Sequence, residues 1–130
     1  MEAAVTALRF DDSYYAELQA HYTHMKDVFT NGLRNLGLRF TEPQGAYFVL
    51  IDISEFGYGS RDSRNCVASC DKPDEKFCID MAQKVGVAAV PGSSFFREPV
   101  DHLVRLHFAK KDETLYEALN RLENLKVLKK

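Results

Sequence analysis

LVRLHFA, residues 103–109, is the stretch around which the fold of this chain is predicted. It lies between loop-like chemistry at residues 97–99 and a helix start at residues 111–113. Its β-branched and aromatic content predicts a strand. Side chains alternate across a strand, so this one has two faces. The first face comprises Val104, Leu106 and Phe108, and the second comprises Arg105, His107 and Ala109.

An arginine in the middle of a half-buried strand requires a partner. The guanidinium of Arg105 is always charged, and its planar fork of donors matches a carboxylate through two parallel hydrogen bonds. Two alternatives follow for that carboxylate: an Asp or Glu of the same chain, or a ligand. From the residues alone the internal ion pair is favoured, because an arginine is seldom left in a core without a partner.

Composition predicts one soluble globular domain. The chain has 130 residues, of which 45% are hydrophobic and 28% are charged, and its formal net charge is −2. It has no basic stripe, so a nucleic-acid partner is not expected. No apolar run approaches the roughly 18 residues of a membrane span, and no signal-peptide pattern is present, so no membrane partner is expected either. Three cysteines do not indicate a secreted disulfide framework, which favours an intracellular compartment, cytoplasmic or organellar.

A long first helix is predicted from the cap residues at 11–13 to Gly37, a C-terminal stop. Apolar side chains recur along it at steps of three and four. They are Tyr15, Leu18, Tyr22, Met25, Phe29, Leu33 and Leu36. Residues 1–10 are helix-friendly, but we expect them to be too short for an element of their own.

The middle of the chain predicts strands and a loop. Residues 38–40 favour a short strand, residues 42–45 a turn, and residues 46–53 (AYFVLIDI) a strand that is apolar on both faces. Such a strand is typical of the centre of a sheet that is covered on two sides. Phe56–Asp71 shows no periodicity and is predicted to be a long surface loop.

The second half predicts a helix from Pro73 to Gly86, a short strand at residues 87–90, the strand described above, and a last helix capped by Asp112. The buried side of the Pro73 helix is expected to comprise Phe77, Cys78, Met81, Ala82 and Val85. The inward residues of the last helix are expected to be Leu115, Ala118, Leu119, Leu122 and Leu125. This order indicates an α+β fold, a small mixed sheet covered by helices, with residues 1–130 as a single domain.

Other candidate sites are weaker. His21 and His24 lie three apart on a helix without a further ligand, so a solvated pair is favoured over a metal site. Cys66, Cys70 and Cys78 contain no Cys-x-x-Cys pair, and Cys78 is predicted to be a small core residue. Residues 56–60 lack the helix and lysine of a phosphate loop, and Ser93-Ser94 lack a His and Asp that the sequence can assign to them. No metal ligand or catalytic residue is assigned.

Three motifs occur in order along the chain: GAYFV at 45–49, VAAVPGSSF at 87–95, and VRLHFA at 104–109 followed by DETL at 112–115. Together they resemble the C-terminal part of class I/II pyridoxal-phosphate aminotransferases of fold type I, in particular the kynurenine, glutamine and methionine aminotransferases. The predicted long helix also resembles the helix that leads into the small domain of that family.

The resemblance implies that Arg105 binds the α-carboxylate of amino-acid and 2-oxo-acid substrates. It also implies that the chain is the substrate-clamping small domain of a longer enzyme, with residues 1–10 a remnant of the connection to a large domain. The Schiff-base lysine and the phosphate-binding residues of the family belong to that large domain. We therefore expect pyridoxal 5'-phosphate in a parent enzyme that is a homodimer, and neither the cofactor nor transamination in this chain alone. The alternative is a stand-alone module that binds a small carboxylate without catalysis.

Overall fold

The computed structural model describes residues 2–58 and 72–129. Its helices are α1 (Glu2–Ala7), α2 (Asp12–Asn35), α3 (Pro73–Asp80) and α4 (Asp112–Leu122). A π-helical turn, Met81–Val85, continues α3, and a 3₁₀ segment, Glu123–Leu128, continues α4. The strands are β1 (Phe40–Thr41), β2 (Phe48–Asp52), β3 (Val90–Pro91) and β4 (Leu103–His107).

The described strands form one sheet in the order β1-β2-β4-β3, and each neighbouring pair is antiparallel. The α+β class is confirmed, but the prediction of a mixed sheet is wrong for these pairs. The reason lies in the topology. The strands β2 and β3, which α3 connects, run in the same direction, but β4 lies between them, so no parallel neighbours arise.

The core lies between one face of the sheet and the helices. The prediction for β4 is confirmed: Val104, Leu106 and Phe108 are all buried, and Arg105 lies on the opposite face. Buried side chains of the helices complete the cluster, including Phe29, Leu33, Phe77, Met81, Leu115 and Leu122. The central position of β2 is also confirmed, but the described helices cover only one of its faces. The apolar residues of its second face, Phe48 and Leu50, are half-buried.

Helix α2 begins and ends as predicted, but its apolar stripe is only partly buried. The Asp11 side chain accepts a hydrogen bond from the Ser13 amide, and Gly37 follows the helix with φ at 71°. The stripe is buried at Met25, Phe29 and Leu33 and partly buried at Tyr22 and Leu36, whereas Tyr15 and Leu18 are 43% and 39% exposed. Residues 2–7 form the short helix α1, which was not expected to be an element.

Three further predictions are corrected. Phe56, placed in a surface loop, is buried, with its ring centroid 5.2 Å from that of Phe77. The predicted loop continues through residues 59–71, which lie outside the described residues. Asp112 is not the cap of α4 but its first residue, and the cap position belongs to Lys111. Ala82, predicted to be buried, is exposed.

Candidate functional site

Arg105 lies at the centre of the sheet face that the described helices leave open. It pairs across the sheet with Leu50 on one side and Val90 on the other. Because paired residues of antiparallel strands share a face, Arg105 is flanked by apolar side chains in both directions. Its own side chain is half-buried. The positive charge of Arg105 on β4 therefore lies among apolar side chains of the neighbouring strands.

Two aromatic rings contact the Arg105 guanidinium. Its Cζ lies 4.1 Å from the ring centroid of Phe95 and 4.9 Å from that of Phe48. Within residues 2–58 and 72–129 Arg105 forms no ion pair. The acidic residue on the same face of β2, Asp52, pairs instead with Arg39, at 3.3 Å between Nη2 and Oδ2. The internal ion pair considered for Arg105 is thus not formed by the described carboxylates.

The loop after β3 carries Phe95 to this position. Residues Gly92–Ser94 form a 3₁₀ turn, and the Phe95 amide donates to the Gly92 carbonyl at 2.9 Å. The Ser93 amide donates to Asp74 Oδ2 at 2.8 Å. The turn is thereby attached to the first turn of α3.

Asp74 was missed as a site residue by sequence reasoning. An acidic residue in the first turn of a helix is expected at the surface, where the helix dipole favours its charge, yet Asp74 is 0% exposed. Its two carboxylate oxygens accept from the Ser93 amide and from the amide of Glu75, at 3.0 Å. A signal for its burial was present: Asp74 lies three and four residues before Phe77 and Cys78, on the apolar side of the helix.

Asp52 is held in its charged form. Burial alone would raise the pKa of its carboxyl, but four interactions outweigh that effect. The Ser54 side chain and backbone amide both donate to the carboxylate, and the charges of Arg39 and His102 stabilise it further. The pKa of Asp52 is therefore lowered below its ordinary value.

The other candidate side chains are placed away from Arg105. His21 and His24 are both exposed, as predicted for a solvated pair, and His24 Nε2 also lies 2.9 Å from Asp112 Oδ2, a contact that links α2 to α4. Cys78 is confirmed as a buried core residue. Burial, with the nearby charges of Asp74 and Glu75, raises its pKa to about 12. The portion of the chain that is described holds no group of three metal-ligating side chains, while Cys66 and Cys70 lie outside it.

The turn before β2 borders a separate groove of about 730 Å³. The groove is lined by side chains of α2 and of the turn, among them Tyr15, Leu18, Tyr22 and Pro43. Ala46 has φ at 61°, a left-handed conformation that is unfavourable for a residue with a side chain. Arg105 does not line this groove, so the groove and the arginine are distinct features.

Comparison with known proteins assigns the family. Residues 1–122 match the family of class I and II aminotransferases. The chain belongs to this family. A methionine aminotransferase from Escherichia coli (strain K12) is 36% identical over 124 residues, which cover 95% of this chain and 29% of that protein. Human kynurenine–oxoglutarate transaminase 1 is 31% identical, with 92% and 29% covered.

Solved structures of aminotransferases share the fold. The N-succinyldiaminopimelate aminotransferase of Mycobacterium tuberculosis superposes with a TM-score of 0.74 at 32% identity, covering 98% of this chain and 29% of that chain. A methionine aminotransferase of Escherichia coli gives 0.71 at 35% identity, covering 91% and 28%. This aminotransferase chain therefore spans less than a third of the length of the relatives it matches.

The family implies pyridoxal phosphate in the parent enzyme, and the described residues around Arg105 do not by themselves form a site for that cofactor. On the sheet face of Arg105 the described strands carry no lysine for a Schiff base. Beside the Phe95 loop, Lys72 is already engaged: its Nζ lies 3.2 Å from Ser93 Oγ and 3.5 Å from Glu75 Oε1. What the face does offer is a fork of donors for a carboxylate.

None of the helices that the structure describes is both long and apolar enough to cross a membrane.

Proposed function

We propose that this chain is the C-terminal, substrate-clamping domain of a longer pyridoxal-phosphate aminotransferase, and that Arg105 binds the α-carboxylate of the substrate. In that enzyme an amino group passes from an amino acid to a 2-oxo acid, and the cofactor supplies the electron sink. The contribution of this chain is to bind and orient the substrate. Residues 1–10 are then the connection to a preceding large domain, which supplies the lysine and the phosphate-binding residues.

The observation that carries the proposal is the unpaired fork of Arg105. Among the described residues its guanidinium has aromatic neighbours but no ion pair, and it lies on the open face of the sheet. A half-buried cation in this setting is available to a carboxylate from outside. Two charge-assisted hydrogen bonds fix both the position and the orientation of such a ligand. Fixing the orientation raises the reaction rate, because substrate and cofactor must be aligned before they react.

Exposed apolar surface supports the presence of a further domain. Phe10, Tyr14 and Tyr15 form an exposed aromatic cluster, with ring centroids 4.6 Å apart for the first two and 5.4 Å apart for the second two. Leu18 continues this surface along α2, and Leu8 precedes it at 83% exposure. Contiguous apolar surface of this kind is typical of an interface. We infer that the large domain covers it, and that the parent enzyme is an intracellular homodimer, cytoplasmic or organellar.

The test uses the complete gene product that contains this chain. Its transaminase activity is measured with methionine and with kynurenine as donors and 2-oxoglutarate as acceptor. The Arg105→Ala variant should lower kcat/KM by about 100-fold, or about 2.7 kcal/mol of transition-state stabilisation, for every accepted donor. Arg34→Ala is the matched control, because Arg34 also lies over an aromatic ring (5.5 Å from Phe40) but pairs with Glu42 of its own chain.

Two results would contradict the proposal. An unchanged kcat/KM in Arg105→Ala for all donors would remove Arg105 from the substrate site. A gene product that lacks a cofactor-binding lysine domain, and that binds 2-oxoglutarate without transaminating it, would instead identify a stand-alone carboxylate-binding module.

A further inference from the structure

We propose that Phe95 and Phe48 are positioning residues that hold the Arg105 guanidinium in its carboxylate-binding orientation, and that buried Asp74 keeps Phe95 in place. The role of the held guanidinium rests on the proposed function. The holding itself is a property of the free protein and is tested separately.

The two rings reach Arg105 from opposite sides of its strand. Phe48 belongs to β2, where it pairs with His107 and is therefore the diagonal neighbour of Arg105. Phe95 follows β3, which lies on the other side of β4. The Arg105 Cζ lies 4.9 Å from the ring centroid of Phe48 and 4.1 Å from that of Phe95, and both distances are within the range of cation–π contacts.

Cation–π contacts with the two rings occupy no hydrogen-bond acceptor, so they leave the N–H donors at the edges of the guanidinium available to a ligand. The edges carry the donors that a carboxylate needs, so the contacts that hold the group do not compete with the ligand. An arginine side chain otherwise has many rotamers, and ordering it on binding costs free energy. A fork that is held before the ligand arrives loses less entropy and binds more tightly.

Phe95 is itself 49% exposed, so packing alone does not fix its ring. Its position is set by the backbone of the turn Gly92–Ser94, and that turn is attached to Asp74 through the Ser93 amide at 2.8 Å. A fully buried carboxylate is costly unless it is hydrogen-bonded. Asp74 accepts from two amides, and one of them belongs to the turn that precedes Phe95. Asp74 thus influences the position of Arg105 indirectly, by fixing the turn that precedes Phe95.

The first experiment needs no ligand. The rotation rate of the Arg105 guanidinium about its Nε–Cζ bond, and the ring-current shift of its side-chain protons, are measured by NMR in the complete gene product without substrate. Phe95→Leu should speed the rotation several-fold and reduce the upfield shift to the part that Phe48 contributes, whereas Phe95→Tyr should preserve both. Phe96→Leu is the matched control, an exposed aromatic residue next along the same loop. Equal effects of the two leucine variants, or none, would overturn the proposal.

The second experiment titrates the same proteins with 2-oxoglutarate and follows the Arg105 Nε–H signal. Phe95→Leu should weaken binding by about tenfold, the upper range of a partly desolvated cation–π contact, and Phe96→Leu should not. An unchanged affinity in Phe95→Leu would overturn the role of the ring. The proposed function fails if the wild type does not respond to 2-oxoglutarate and Arg105→Ala does not lower kcat/KM in the complete gene product. In that case the rotation rates still decide whether the rings hold Arg105.

Asp74→Asn tests the link through the loop. Asparagine offers one acceptor oxygen in place of two, so one of the two amides loses its acceptor. The Arg105 rotation rate should rise toward that of Phe95→Leu, while Lys76→Gln, at an exposed residue of the same helix, should leave it unchanged. If Asp74→Asn does not fold, Ser93→Pro removes the amide donor and leaves Asp74 intact. A wild-type rotation rate in whichever of these variants folds would refute the role of Asp74.

Discussion

The backbone of Gly92 lies so close to Leu103 that a Cβ atom at residue 92 would be 2.4 Å from the Leu103 carbonyl oxygen. This approach joins the end of β3 to the start of β4. It brings the turn that carries Phe95 onto the strand that carries Arg105. The residue at position 92 is therefore limited to glycine by space, not by backbone conformation.

Gly92→Ala should destabilise the protein by about 2–4 kcal/mol, because the new methyl group meets backbone that cannot rotate away. The free energy of unfolding from urea titration measures the effect. Gly45→Ala is the control, since a Cβ there meets nothing within 4 Å. Matching unfolding midpoints for the two variants would show that the loop is free to move away from β4.

Gly32→Ala should destabilise the contact between α2 and α4. Its Cβ would lie 2.4 Å from both terminal methyl groups of Leu119. The gain in helix propensity, about 1 kcal/mol, is expected to be smaller than the packing penalty of about 1–3 kcal/mol. Leu119→Ala in the same background should remove the clash, so a double-mutant cycle should give a favourable coupling energy. Additive effects would mean that Leu119 rotates away freely.

The charge of Asp52 should stabilise the fold in a pH-dependent way. Its pKa is lower in the folded protein than the ordinary value of 3.8, so the stabilisation is complete above that value and is lost as the pH falls through the folded pKa. The stability difference between wild type and Asp52→Asn should therefore narrow as the pH falls from about 6 to about 2. Asp27→Asn, which removes an exposed carboxylate, serves as the control. A pH-independent difference for Asp52→Asn would exclude this account.

Cys78 should be unreactive in the folded protein, because a thiol whose pKa is raised to about 12 is almost entirely protonated at neutral pH. In a variant with Cys66 and Cys70 replaced by serine, Cys78 is the one remaining thiol. Its reaction with a disulfide reagent near neutral pH should be at least about 100-fold slower than in denaturant. Equal rates in the two conditions would show that Cys78 is reached by solvent.

Much of the fold is readable from local patterns. The caps and periodicity of α2, the strand character of residues 103–109 and the alternation of Val104, Arg105 and Leu106 are properties of near neighbours in the chain, and the structure agrees with them. The errors arise where the environment of a side chain is formed by residues that are distant in the sequence. Phe56 looked like loop sequence but packs on Phe77, which is 21 positions further along.

The candidate site divides in the same way. The sequence by itself determined that Arg105 stands on the face of its strand opposite to Val104 and Leu106, because side-chain alternation depends only on the backbone of that strand. Tertiary structure alone decided what surrounds it. The rings of Phe48 and Phe95 come from elements on either side of β4, and the carboxylate that fixes one of them, Asp74, is on α3. Such contacts depend on strand order and on the path of the loops, and these are set by packing of the whole chain.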